Sequence, residues 1–183
     1  MPRGRKKSAE PKEEKTFAIV PEAEVIITKL CEKYPKLLWG VDPKKIGVYG
    51  CDNQDKPESN KTLAKIRKVS GVMQAVFDKH NISIQYIIEL YWSDWNRFNA
   101  QQKSWVMLHE ILHILDPDAK SLRKHNVEDF AVIVDKIGFD YEQPGLPDLL
   151  GDTPVTFNET LIAQMQKPDE EVLEENAPTP PEA

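Results

Sequence analysis

His109-Glu110-Ile111-Leu112-His113 is an H-E-x-x-H pentapeptide. On a helix, residues four apart lie on one face, one turn above the other. His109 and His113 would then present two imidazoles to a common point. Glu110 lies about 100° around the axis from His109, next to that point but not on it. Two imidazoles suit Zn²⁺, and a carboxylate beside a zinc-activated water can take its proton. A random chain of this His and Glu content would contain the pattern roughly once in a hundred tries, so its context has to be read as well.

A catalytic zinc wants three protein ligands plus water. Eleven residues separate His113 from His125, enough for a loop that folds a second helix back against the first. His125 is therefore the candidate third ligand, with Asp129 and Glu128 as alternatives. Asp116, Glu128 and Asp129 could otherwise orient the imidazoles from behind. His80 precedes a strand, has no companion and is left out. Tyr86, Tyr91 and Arg97 are weak candidates for stabilising an oxyanion.

The elements around the motif follow from periodicity and caps. Asn99 to Leu115 reads as a helix, with Asn99 as N-cap, Gln102 completing a capping box and Pro117 as the stop. Trp105, Leu108, Leu112 and Leu115 form one apolar stripe, and Met107, Ile111 and Ile114 another, so the helix is expected to be buried. Two histidines in so apolar a helix need partners. Pro21 to Tyr34 reads as a helix closed by Pro35, with Ala23, Ile27, Leu30, Cys31 and Tyr34 inward. Ile46 to Cys51 and Ile82 to Tyr91 read as strands. The second could lie beside the cleft and offer backbone groups to an extended peptide, or be an internal core strand. Thr62 to Val69 is read as a strand, with a helix from Asn60 as the alternative, and has a basic outer face from Lys61, Lys65, Arg67 and Lys68, an ordinary solvated edge in preference to a polyanion-binding one. Val72 to His80 reads as a short helix. A further helix is expected from His125, capped by Asn126, with Val127, Phe130, Ala131, Val134 and Ile137 inward and Gly138 as its end. A short helix is expected near Asn158 to Met165.

The chain has 183 residues, room for one domain with tails, and a net charge of −6. Its overall acidity argues against nucleic acid as the default ligand. Residues 1–15 are basic and lack large apolar side chains. They are expected to be a disordered tail, in which Arg3-Gly4-Arg5-Lys6-Lys7 is a candidate for weak nucleic-acid contact. Residues 168–183 are acidic and Pro-containing, a second tail expected to be disordered. Cys31 and Cys51 form no C-x-x-C pair and are expected to be reduced residues of a cytoplasmic protein. No apolar run approaches 18 residues, so no membrane partner is expected.

The core from about Ile46 to Phe139 resembles the phage metallopeptidase family, a zincin-like group. The resemblance rests on IGVYGCD, WVMLHEILHI and HNVEDF, in that order. It implies Zn²⁺ held by His109, His113 and His125, with Glu110 as catalytic base. It also implies a protein or peptide substrate and, for a phage-encoded chain, the host cytoplasm. The chain is more distantly similar to SprT-like proteases, which act on DNA-bound proteins, but has no Cys-rich zinc ribbon. It also lacks the metzincin spacing. The expected fold is α+β and zincin-like. A small mixed sheet of three to four strands packs on the H-E-x-x-H helix and on a second helix carrying the third ligand. The expected organisation is a metallopeptidase domain over 16–140 and a C-terminal wrap over 141–167. Two alternatives stay open: a non-enzymatic DNA- or protein-binding module with a structural or vestigial zinc site, and a repressor-cleaving protease of the ImmA type, which uses an acidic third ligand.

Overall fold

The computed structural model describes residues 16–52, 62–114, 121–125 and 129–166. Apolar β-formers fix its centre. Ile46–Cys51 (β2) and Tyr86–Tyr91 (β4) pair in parallel, from Ile46 opposite Tyr86 to Cys51 opposite Tyr91. The two-residue period puts Val48, Ile88 and Leu90 on one face, and all three are completely buried. Ala64–Lys68 (β3) runs antiparallel along the other side of β4, and Phe17–Ile19 (β1) antiparallel to β2. The order β1-β2-β4-β3 makes a mixed four-stranded sheet, and the fold is α+β and zincin-like.

β4 is internal, so its backbone groups are engaged on both sides. Of the two readings, the internal core strand is the one found and the peptide-offering one is overturned; among the described residues the edge there is β3. β4 also begins at Tyr86 rather than Ile82. The Ile82 N–H donates to the Phe77 carbonyl at 2.9 Å, closing the helix Gly71–Lys79 (α2) and turning the chain away from the sheet. β1 is additional to the sequence reading. All three of its residues are exposed, so no hydrophobic alternation marks it.

Two helices cover the inner face. Pro21–Lys33 (α1) lies over β2, and a four-residue turn of helix, Trp92–Trp95 (α3), leads from β4 toward Ala100–Leu112 (α4), which lies against α1 and β3. The Trp92 ring occupies the place where a Cβ on Gly50 would come within 2.2 Å, so the strand can pass only as glycine. Asn99 caps α4 as expected: its side chain accepts from the Gln102 N–H at 2.9 Å, and the Gln102 side chain accepts from the Asn99 N–H at 3.0 Å. Trp105, Met107, Leu108, Ile111 and Leu112 are fully buried.

Residues 140–166 wrap the far side of these helices. Trp105 Nε1 donates to the Pro147 carbonyl at 2.9 Å, and the Tyr34 hydroxyl to the Leu149 carbonyl at 2.8 Å. Phe157 meets both rings edge-on, and the short helix Glu159–Met165 (α6) follows, capped by Asn158. Cys31 and Cys51 are both free thiols, and burial pushes the Cys31 pKa up to about 11. Among the described residues no helix is long and apolar enough to cross a membrane.

The remaining helix, Ala131–Ile137 (α5), starts later than its apolar pattern implies. Its N-cap is Phe130, whose N–H is taken by the side chain of Asp129, and its inward residues are Val132, Ile133 and Ile137. The expected cap Asn126 and inward Val127 lie outside the described residues. His125 consequently sits in the non-helical stretch 122–125, not on the second helix.

Candidate metal centre

The capping box sets where α4 begins, and the buried Trp105 and Leu108 set its rotation. Together they turn His109 and His113 toward the stretch 121–125. His125 closes the group. Ligand-capable atoms of His109, His113 and His125 all lie within 4.8 Å of one another. The Nε2 atoms of His109 and His125 are 3.2 Å apart. Phe130, 1% exposed, lies edge-on to all three imidazoles at centroid distances of 4.9 to 5.5 Å and floors the group with an apolar surface.

His109 on α4 and His113 at its C-cap are each oriented through the other nitrogen. His113 Nδ1–H donates to the Arg123 carbonyl at 2.6 Å, and the Arg123 N–H donates back to the His113 carbonyl at 2.9 Å. His109 Nδ1–H is shared between Asp129 Oδ1 and the Tyr141 hydroxyl oxygen, each at 2.9 Å. The Tyr141 O–H in turn donates to Asp129 Oδ2. These bonds place the proton on Nδ1 and leave the Nε2 lone pairs facing the shared point. A lone pair of His109 3.2 Å from a nitrogen of His125 calls for a cation or a proton between them. A first-row divalent metal fits this all-imidazole donor set with its oriented outer partners.

Electrostatics agree with neutral rings at two of the three positions. Burial, with the neighbouring His109 and His125, pushes His113 down to about 4 against the opposing Arg123 carbonyl bond. Burial also lowers His125. At His109 burial is outweighed by the Asp129 bond and the Glu110 charge, and the pKa rises. Asp129 is held low in spite of burial by its bonds from His109, Tyr141 and the Phe130 N–H. Glu110, 5% exposed, is pushed up to about 7 by burial, with the His109 charge and an N–H bond from Ile66 of β3 opposing.

Two cavities open beside Glu110. One, of about 290 Å³, is lined by Leu63, Ala64, Val106, Phe139 and Tyr141. The other, of about 470 Å³, runs along β3 past all three histidines to Lys124.

The model of the family described as "Putative phage metallopeptidase" matches residues 15–154. The chain belongs to this family. The span contains all four strands, helices α1 to α5, the three histidines and Tyr141. No curated protein and no solved structure matches it.

Of the residues singled out from sequence, His109, Glu110, His113, His125 and Asp129 come together. Asp129 stands behind His109 rather than beside the three ring nitrogens. Asp116 and Glu128 lie outside the described residues, as do Lys61 and both tails. Tyr86, Tyr91 and Arg97 line neither cavity, and Arg97 is engaged by Asp94 and Glu142. Lys65 and Arg67 are exposed on β3, and Arg67 pairs with Glu89 at 2.8 Å. Tyr141 was missed. Its signal in the sequence is weak, a lone aromatic after Gly138-Phe139-Asp140, and only the tertiary contact reveals it.

Proposed function

We propose that this metallopeptidase is zinc-dependent, with the metal held by His109, His113 and His125 and with Glu110 as general base. The observation that carries the reading is the convergence of three imidazoles within 4.8 Å beside a carboxylate that is 5% exposed. A bound Zn²⁺ would supply Lewis-acid activation of a water and of the scissile carbonyl.

The chain's own residues do the rest. A Glu110 carboxylate oxygen takes the proton of the attacking water and returns it to the nitrogen of the leaving amine. The Ile66 N–H holds that carboxylate against β3. Asp129 and Tyr141 fix the ring of His109, and the Arg123 carbonyl fixes that of His113. β3 supplies the substrate platform. The Val69 N–H donates to the Gln85 carbonyl beyond β4 at 2.7 Å, so by period two the N–H groups of Arg67 and Lys65 also face β4. Those of Ile66 and Ala64 face the cleft; the first is taken by Glu110, so an extended peptide adds to the edge through the Ala64 N–H.

Elemental analysis of the purified protein should find about one zinc per chain, and cleavage of an unfolded protein substrate should be lost with chelator. Glu110→Gln should retain the zinc and lose turnover by on the order of a thousandfold, in the middle of the range for general acid–base catalysis. Full turnover in that variant would remove Glu110 as the base.

A further inference from the structure

Glu110 lies between two cavities of opposite character. Toward the N-terminal end of β3 the lining is Leu63, Ala64, Val106 and Phe139, with only Thr62 and the site residues His109, Glu110 and Tyr141 adding polar atoms. Toward Ile66 the lining carries Lys65, Arg123 and Lys124, and Glu110 is its one acid among the described residues. Both cavities include Thr62, Ala64, His109 and Glu110, so they adjoin at the reacting centre rather than forming separate sites.

We propose that these cavities select the substrate sequence: an apolar side chain enters the first and an acidic side chain the second, on opposite sides of the cleaved bond. The inference rests on the peptidase reading and deepens it. The first cavity, about 290 Å³, is large enough for a Leu- or Phe-sized side chain, and its apolar walls would leave a buried charge unpaired. The second is open along β3, and Lys65 and Lys124 make its lining positive among the described residues, which attracts a carboxylate and repels Lys or Arg.

Antiparallel addition, the commoner pairing, fixes the direction. A strand added antiparallel to β3 runs from the Ile66 end toward the Thr62 end. Its N-terminal part then lies over Lys65, Arg123 and Lys124, and its C-terminal part over Leu63, Val106 and Phe139. The acidic residue is therefore one or two positions before the cleaved bond, and the apolar residue directly after it.

Two readouts on one peptide library made from a proteome digest test this. Zinc-loaded wild type reports cleavage positions by mass spectrometry, with chelator as control. Zinc-loaded Glu110→Gln, immobilised, reports which uncleaved peptides are retained. Both should enrich Asp or Glu before, and Leu, Ile, Met or Phe after, the site by severalfold. Lys124→Glu should abolish or invert the acidic preference while the apolar one stays. Leu63→Trp, at a half-buried position, should shift the apolar preference toward Ala and Val. Chelator-sensitive cleavage without these preferences, or with their order reversed, overturns the pocket assignment and leaves the peptidase standing. Selective retention by Glu110→Gln with no cleavage by wild type refutes the hydrolase and supports the pockets. Neither retention nor cleavage overturns both.

Discussion

One wall of the cleft is a strand and the other is not, and they are held by different means. β3 is fixed by its ladder to β4, backbone to backbone, from Ala64 opposite Leu90 to Lys68 opposite Tyr86. The facing wall, residues 121–125 and 129–141, has no ladder where it meets the histidines. It is tied to α4 through Arg123 on His113, and through Asp129 and Tyr141 on His109, with Phe130 packed beneath. A ladder tolerates side-chain change because the bonds belong to the backbone. A wall held by side chains does not. On the proposed reading, the third metal ligand and the outer partners of the other two lie on the sensitive wall, and the platform for substrate on the tolerant one.

The contrast is broken most directly at His125. Its ring is the only donor of the three that comes from neither α4 nor its C-cap. His125→Ala should lower zinc affinity by more than the roughly 100-fold that loss of an outer partner causes. The fold should persist, because the residue is exposed and α4 keeps its cap and core. Competition with a chromogenic chelator reads the affinity. An unchanged affinity would mean that an acidic group completes the site, as in the ImmA-type alternative.

Asp129→Asn comes next. An amide oxygen can still accept from His109 Nδ1–H, but the charge that strengthens the bond is gone. Zinc affinity should fall about 10- to 100-fold. Tyr141→Phe removes the O–H that steadies Asp129 and one of the two acceptors of His109 Nδ1–H, but leaves the charged one, so its loss should be smaller, about tenfold at most. In both variants the melting temperature of the metal-free protein separates the roles. A positioning role moves metal affinity more than apo stability, whereas a packing role moves apo stability first.

The same contrast explains what could be read from the chain. α1, β2 and α4 were legible because each is bounded by local chemistry: Pro21 at the first turn, the alternation from Ile46, and the reciprocal Asn99–Gln102 cap. H-E-x-x-H was legible because both histidines and the glutamate are fixed by one helix. The third histidine was found by counting donors, but its setting was misjudged. The apolar residues from Val127 onward suggested a helix opening near His125, whereas Asp129 takes the Phe130 N–H and α5 starts at Ala131. Tyr141 and the Ile66 N–H were invisible because each reaches its partner across the fold. The start of β4 was displaced because Ile82 and Ile84 continue an alternation that the Ile82–Phe77 bond interrupts.

The tolerant wall yields the smallest effect. Arg67 is 57% exposed on the outer face of β3, and its guanidinium meets Glu89 of β4 at 2.8 Å, diagonal to the strand register. Solvent screens such a pair, and holding a long side chain in place costs entropy, so Arg67→Ala should reduce stability by only about 0.2–1 kcal/mol. Its backbone bonds to β4 survive the change, and the side chain lines neither cavity. Zinc affinity and turnover should therefore match the parent protein, measured beside Tyr141→Phe in the same assays. A drop in metal affinity comparable to that of Tyr141→Phe would mean that β3 is positioned by its side chains after all, and the distinction between the two walls would be lost.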